Sequence, residues 1–350
     1  MTARKTAVVI CPGRGTYNAP ELGTLARQFP DPALLARFDA IRTAEGQESL
    51  LTLDGAQTFS LSTHGRGDVA SGLIYAATFG DVLAIDAKAV DVVAVTGNSM
   101  GWYSALACAG AVRPEAGFRI ANTMGRLMQD ALIGGQLIYP WVDEDWLPKP
   151  VRKAALLALV EDIALRPAHR LALSIDLGGF LVIAGNEAGL RAFETAVDPA
   201  MGRFPLRLAN HAAFHTDLQA PVAAKGQALL GENLFQDAVL PMIDGRGHVW
   251  WPGEYGTSKL RDYTLGHQVT CAYDFTAAIR TAAREFAPDL FIVTGPGTTL
   301  GGAVAQSLIL SQWRGLRAKA DFQNLQSENP ILISMGLSDQ RALVTKGPSL

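Results

Sequence analysis

Three apolar runs along this chain share one pattern: a stretch rich in β-branched residues, without polar alternation, that stops abruptly at a glycine turn. They occupy residues 6–15 (TAVVICPGRG), 90–101 (VDVVAVTGNSMG) and 289–297 (DLFIVTGPG). Uninterrupted apolar strands are buried on both faces, as in a parallel sheet, and ligands of such sheets gather at the C-terminal strand ends, where these turns lie. Alanine-rich stretches at 104–111, 115–132 and 275–286 have the composition of crossover helices. The fold class is therefore α/β.

Between about 134 and 208 the texture changes. Residues 150–163 read as an amphipathic helix, 172–176 and 180–184 as strands parted by Gly178-Gly179, and 188–197 as a second helix. That is a small inserted α+β subdomain, which leaves 1–133 and 209–306 as the large α/β body. Beyond it, 307–350 forms a C-terminal extension whose Trp313, Leu316, Phe322 and apolar run 331–333 are expected to pack on the body, with the last few residues frayed.

Composition narrows the partners. The 350 residues are 49% hydrophobic and 18% charged, those of a globular chain, and a net charge of −3 lacks the basic excess that a nucleic acid partner demands. The three cysteines, Cys11, Cys108 and Cys271, are odd in number and far apart, so no disulfide framework and no CxxC metal site is expected. The first apolar stretch is ended by Pro12-Gly13, and no run approaches the roughly 18 apolar positions of a membrane span. A soluble cytoplasmic protein with no membrane partner follows.

The sharpest chemical signal is Gly97-Asn98-Ser99-Met100-Gly101, a G-x-S-x-G segment with an apolar strand before it and a helix-forming run after it. A serine at such a turn needs neighbours without Cβ so that its backbone takes a strained conformation and presents Oγ. The amide of Met100, at the start of the following helix, would face a developing oxyanion. The plain alternative is an ordinary Gly-Ser turn. The base is not singled out, since composition does not choose among His64, His169, His211, His215, His248 and His267, and none of the available aspartates stands in a distinctive motif. The loops at 13–15 and 295–301 lack the full G-x-G-x-x-G spacing and no P-loop occurs, so no bound nucleotide cofactor is expected.

Four blocks in order carry a family resemblance. Residues 11–17 (CPGRGTY) resemble FPGQGSQ, 97–103 (GNSMGWY) resemble GHSLGEY, 212–216 (AAFHT) resemble GAFHS, and 295–300 (GPGTTL) resemble GPGxxL. The chain thus resembles the malonyl-CoA:acyl carrier protein transacylase family, with the acyltransferase domains of fatty acid and polyketide synthases, from about residue 6 to 305. The resemblance implies a large α/β-hydrolase-like parallel-sheet body with a small ferredoxin-like insert. It implies Ser99 as acyl-accepting nucleophile, His215 as its base without a carboxylate, a backbone carbonyl near Gly266, with His267 as the alternative, as the group orienting the histidine, and the amides of Arg14 and Met100 as the oxyanion hole. Coenzyme A thioester is the implied substrate, acyl carrier protein the implied partner, and no metal is called for.

The departures are informative. Family members that use malonyl groups carry an arginine 25 positions after the nucleophile, and here that position holds Met124. A buried carboxylate without its partner costs on the order of 3–5 kcal/mol. The expected acyl group is therefore linear and without a free carboxylate, in a pocket of Met124, Asn98, Trp102 and Phe214; Phe214 implies an unbranched chain, and Trp102 either narrows the acyl slot or packs in the core. Arg14, where the family has glutamine, is the one alternative site for a carboxylate. Two rival activities remain at this level, an editing hydrolase of acyl-carrier thioesters and a non-catalytic carrier-binding subunit. Arg203, Arg207 and Lys225, close in sequence to His215, are candidates for docking an acidic carrier.

Overall fold

The computed structural model describes residues 4–345; the expected fraying of the last few residues lies outside them. Eleven strands occur in chain order: β1 Lys5–Cys11, β2 Val90–Gly97, β3 Gly135–Pro140, β4 Leu171–Leu177, β5 Phe180–Gly185, β6 Leu206–Arg207, β7 Met242–Ile243, β8 Val249–Trp250, β9 Tyr273–Asp274, β10 Leu290–Val293 and β11 Leu332–Ser334. They form two sheets, in the orders β11-β10-β1-β2-β7-β8 and β6-β3-β5-β4-β9.

In the first sheet all neighbours run parallel except the β7-β8 hairpin. The unbroken apolar character of β1 has a direct cause. Ala7, Val9 and Cys11 enter one hydrophobic core while Val8 and Ile10 enter another on the opposite face. β10 divides the same way, Leu290 and Ile292 to one side and Phe291 and Val293 to the other. With both faces covered there is no polar alternation to read. Register places Cys11 beside Gly97, so the first two glycine turns leave the sheet together.

The second sheet is antiparallel apart from β9, which runs parallel to β4. Its outward face packs against the helices Pro150–Ala164 and Glu187–Ala196 around a third core of Leu137, Leu181, Ile183, Val160, Ile163 and Phe193. The observed mixed α/β architecture is the expected fold class, with a parallel body sheet and a smaller, largely antiparallel one. Five strands escape the apolar pattern. β3 reads weakly because Gly135, Gln136 and Pro140 interrupt it, and β6, β7, β8 and β9 are two residues each, β9 reaching the second sheet from residues 273–274.

The last described segment is part of the fold. β11 pairs with β10, and Arg341 forms an ion pair with the buried Asp81 of the helix Gly67–Ala84. The other Asp81 oxygen accepts from the amide of Gly295 at 2.6 Å. Burial raises the Asp81 pKa and Arg341 opposes the rise. Removing one partner of such a pair strands a buried charge, so Arg341→Met is expected to lower the unfolding free energy by about 3–5 kcal/mol in urea titrations. Arg341→Met combined with Asp81→Asn should cost clearly less than the sum of the two single changes.

Candidate active site

Ser99 follows β2 and precedes the helix Gly101–Cys108. Its φ of 55° is left-handed, a conformation that costs a non-glycine residue of order 1–3 kcal/mol unless its surroundings enforce it. Here they do. A Cβ on Gly101 would stand 2.1 Å from the carbonyl oxygen of Cys11, and one on Gly97 would stand 2.3 Å from the carbonyl carbon of Gly101. The Gly101 amide donates to the Asn98 carbonyl at 2.8 Å and closes the turn.

His215 faces this serine from the segment after β6 and is likewise left-handed, with φ 58°. Its Nε2 lies 2.8 Å from Ser99 Oγ and its Nδ1 lies 2.7 Å from the carbonyl oxygen of Gln268. A carbonyl can only accept, so Nδ1 carries the proton and Nε2 presents its lone pair to the serine hydroxyl, which donates to it. The imidazole packs against Tyr273, with ring centroids 5.4 Å apart, and the Tyr273 hydroxyl donates to the Gly97 carbonyl at 2.6 Å. Burial pushes the His215 pKa from 6.5 down to about 4, against the Gln268 hydrogen bond that raises it. The ring is thus neutral at neutral pH and able to take a proton. Among the described residues its hydrogen-bond partners are Ser99 and Gln268, with no carboxylate.

The orienting carbonyl differs from the expected one. Gly266 turns its carbonyl to Thr270 Oγ1 at 3.0 Å, and Gln268 takes the position beside His215. The cause is a π-helical turn over Tyr263–His267, whose wider repeat displaces the carbonyls that a regular helix would present. His267 stacks on Tyr263, 5.6 Å between centroids, and does not enter the site. Gln268 also donates from Nε2 to the Ser99 carbonyl at 3.0 Å and accepts from the Tyr103 hydroxyl at 3.2 Å. One residue thereby holds both members of the pair.

The first glycine loop closes the other side. A Cβ on Gly13 would lie 2.5 Å from the Asn98 carbonyl oxygen and 3.5 Å from Ser99 Cβ, so the loop reaches the serine only because residue 13 is glycine. The amides of Arg14 and Met100 donate to no protein group among the described residues. The fourth block stands behind this loop: a Cβ on Gly297 would meet the Thr16 carbonyl oxygen at 2.3 Å.

The expected acyl pocket is largely redrawn. A small cavity of about 20 Å³ beside Ser99 and His215 is lined by residues that include Phe214, Ser71, Tyr103, Met128, Val269 and Arg14. Phe214 is the one expected pocket residue in that wall. Met124 is fully buried but its sulfur turns to Gly226, where a Cβ would lie 2.6 Å from it. Trp102 is a core residue, its indole N–H donating to Thr264 Oγ1 at 2.9 Å and its ring edge-on to Tyr263. Asn98 contributes its backbone to the turn and lies outside the cavity wall, its Oδ1 buried without a hydrogen-bond partner. Helical direction explains these differences, because one residue's rotation on a helix decides whether a side chain faces the site or the neighbouring helix. Gln268, Ser71 and Val269 carry no motif signal; Met128 stands in a segment, Leu127-Met128-Gln129, that agrees with the family but marks no role. Among the described residues no cluster of three His, Cys, Asp or Glu side chains is placed to ligate a metal.

A hydroxyl, a neutral imidazole held by a backbone carbonyl, a backbone amide at a strand-to-helix turn and another in the facing loop are the groups that nucleophilic acyl chemistry at a serine requires. Comparison with known proteins gives this apparatus a context. No family model matches the chain. The curated malonyl CoA-acyl carrier protein transacylases of Salmonella typhimurium and Escherichia coli K12 are each 25% identical over 211 residues, 59% of this chain. The match spans 63% of the length of those relatives. The solved transacylase of Xanthomonas oryzae superposes with a TM-score of 0.73 at 17% identity, covering 98% of both chains. That of Synechocystis superposes at 0.71 and 19%, covering 97% of this chain and 99% of the other. A type II polyketide malonyl-transacylase in complex with its acyl-carrier protein superposes at 0.69 and 19%, covering 89% and 99%. Relatives and structural neighbours alike are malonyl-CoA:acyl carrier protein transacylases, in agreement with the four sequence blocks, and the chain has their fold. No helix among the described residues is long and apolar enough to cross a membrane.

The depressed pKa of His215 gives a testable pH dependence. Protonation of Nε2 removes the base, so the rate at which Ser99 reacts with a fluorophosphonate should stay level from pH 8 to about 5 and fall through a pKa near 4. A fall centred on 6.5 would contradict the buried, neutral imidazole.

Proposed function

We propose that this protein transfers an acyl group from coenzyme A to the phosphopantetheine thiol of an acyl carrier protein through an acyl-Ser99 intermediate. The observation that carries the reading is the 2.8 Å contact between Ser99 Oγ and a His215 Nε2 whose lone pair is fixed toward it. His215 takes the Oγ proton as Oγ attacks the thioester carbonyl, and the amides of Arg14 and Met100 receive the oxyanion. The carbon–sulfur bond then breaks, and the coenzyme A sulfur leaves with the proton returned by His215. In the second half the carrier thiol gives its proton to His215, attacks the acyl-serine and regenerates the hydroxyl. No cofactor enters either step.

The names of the similar proteins support the choice of acceptor, since the curated relatives act on acyl carrier protein and one structural neighbour was solved with its own. Phe214 in the cavity wall supports a linear acyl group. The absence of a free carboxylate rests on the missing arginine at position 124, where a buried methionine packs toward Gly226 instead. Docking of an acidic carrier falls to Arg203 and Lys225 more than to Arg207, whose guanidinium is occupied by Glu194 at 2.6 and 2.9 Å. The dyad geometry favours an enzyme over a silent carrier-binding subunit.

Intact mass spectrometry tests the reading. Short acyl-CoAs should add one acyl mass at Ser99 and a holo carrier protein should discharge it, whereas release of free acid at the same rate without carrier would make the protein a hydrolase. Ser99→Ala should give no adduct, and His215→Ala should slow adduct formation at least about a thousandfold.

A further inference from the structure

Strand β4 carries one residue more than its partner. Leu173 pairs with Ile183 and Ile175 with Val182, so Ser174 falls in a register shift between them, a β-bulge. Leu171 and Leu173 face the third core, on the outward side of the second sheet, whereas Ile175 joins the body core that takes Val8 and Ile10. Positions 171, 173 and 175 of a regular strand share one face, so the bulge turns the strand over and re-aims Ser174. Ser174 is fully buried, and its hydroxyl donates to the carbonyl oxygen of Phe214 at 2.8 Å. From behind, Gln136 of β3 donates from Nε2 to Ser174 Oγ at 2.6 Å, and its Oε1 lies 2.8 Å from His211 Nδ1. A carboxamide oxygen only accepts, so His211 carries its proton on Nδ1, and burial together with the nearby Arg14 keeps that ring neutral. The bonds therefore run in one direction, from His211 to Gln136 to Ser174 to Phe214. They leave the segment after β6 at His211 and return to it one residue before His215.

We propose that Ser174 and Gln136 are positioning residues for the base: the bulge in β4 aims the Ser174 hydroxyl at the Phe214 carbonyl, and that bond holds the peptide that points His215 at Ser99. The Phe214 carbonyl belongs to the peptide plane whose rotation about the His215 N–Cα bond is the left-handed φ of 58°. A residue with a side chain keeps such a φ only where its surroundings impose it. Among the described residues no backbone amide donates to this carbonyl, which leaves the Ser174 hydroxyl to hold the plane. Gln268 fixes the rotation of the ring from Nδ1, and Ser174 fixes the main chain that carries the ring. No residue of the second sheet lines the cavity beside Ser99, yet through this bond the sheet sets the direction of the base. That role rests on the reading of His215 as the base of Ser99.

The rate at which Ser99 reacts with a fluorophosphonate reads the base without any acyl substrate. Ser174→Ala should lower that rate about tenfold, the effect of losing one buried hydrogen bond, and Ser174→Thr, which keeps the hydroxyl, should restore it to within about threefold. Gln136→Met, of similar volume, should lower it about threefold and reports on the same bond from a second side chain. The decisive readout is the combination with His215→Ala. A residue that acts through the base has nothing to act on once the base is gone, so adding Ser174→Ala should lower the residual rate of His215→Ala by less than about twofold. A tenfold loss repeated in that background would make Ser174 a general support of the fold and overturn its positioning role. An unchanged rate in both Ser174→Ala and Gln136→Met would overturn it as well. Absence of an adduct with every acyl-CoA, beside fluorophosphonate rates that follow the expected pattern, would instead refute acyl transfer and uphold the positioning of His215.

Discussion

The hydrogen bond from His215 Nδ1 to the carbonyl of Gln268 decides what the rest of the site can do. A carboxylate in that position would stabilise an imidazolium; a carbonyl orients the ring and fixes its tautomer with only a dipole. In a dry setting the ring then stays neutral, and its lone pair remains aimed at Ser99. The same residue secures Ser99 through its side chain, which donates to the Ser99 carbonyl. Ser99 and His215 are thereby positioned by one residue, which follows a single π-helical turn.

Backbone proximity is the second constraint. The loop after β1 and the turn after β2 leave adjacent parallel strands in register, Cys11 beside Gly97, and then touch main chain to main chain. No side chain fits between them at Gly13 or Gly101, and none fits inside the turn itself at Gly97. The strained φ of Ser99 is held by this contact, so the fold supplies the strain energy that a free turn could not retain. The Asp81 to Arg341 pair and the close approach of Gly297 to Thr16 support the same loop from behind, which links the final strand to a site it never touches.

What the sequence reveals follows from which interactions are local. The three apolar runs are legible because both faces of β1, β2 and β10 are buried, and the serine turn is legible because its glycines answer a backbone demand. Ser99, His215 and Phe214 stand in short blocks that keep one spacing. Gln268 is hidden because a backbone carbonyl has no sequence identity of its own and its register depends on a π turn. Met124 and Trp102 mislead because a helix position specifies a face only once the neighbouring helices are placed. Arg14 is visible as a departure from a motif, but its burial and its bonds to the Gly65 and Asn210 carbonyls are set by the fold. The two-residue strands β7 and β9 lie below the length at which any hydrophobic pattern forms.

Burial keeps His215 neutral, and the Gln268 carbonyl holds its proton on Nδ1. Nitrogen-15 NMR of the imidazole measures this directly. A protonated Nδ1 and a bare Nε2 are expected from pH 8 to about 5, with conversion to imidazolium only near pH 4. An Nε2-protonated ring at neutral pH, or an imidazolium already formed at pH 6.5, would contradict it.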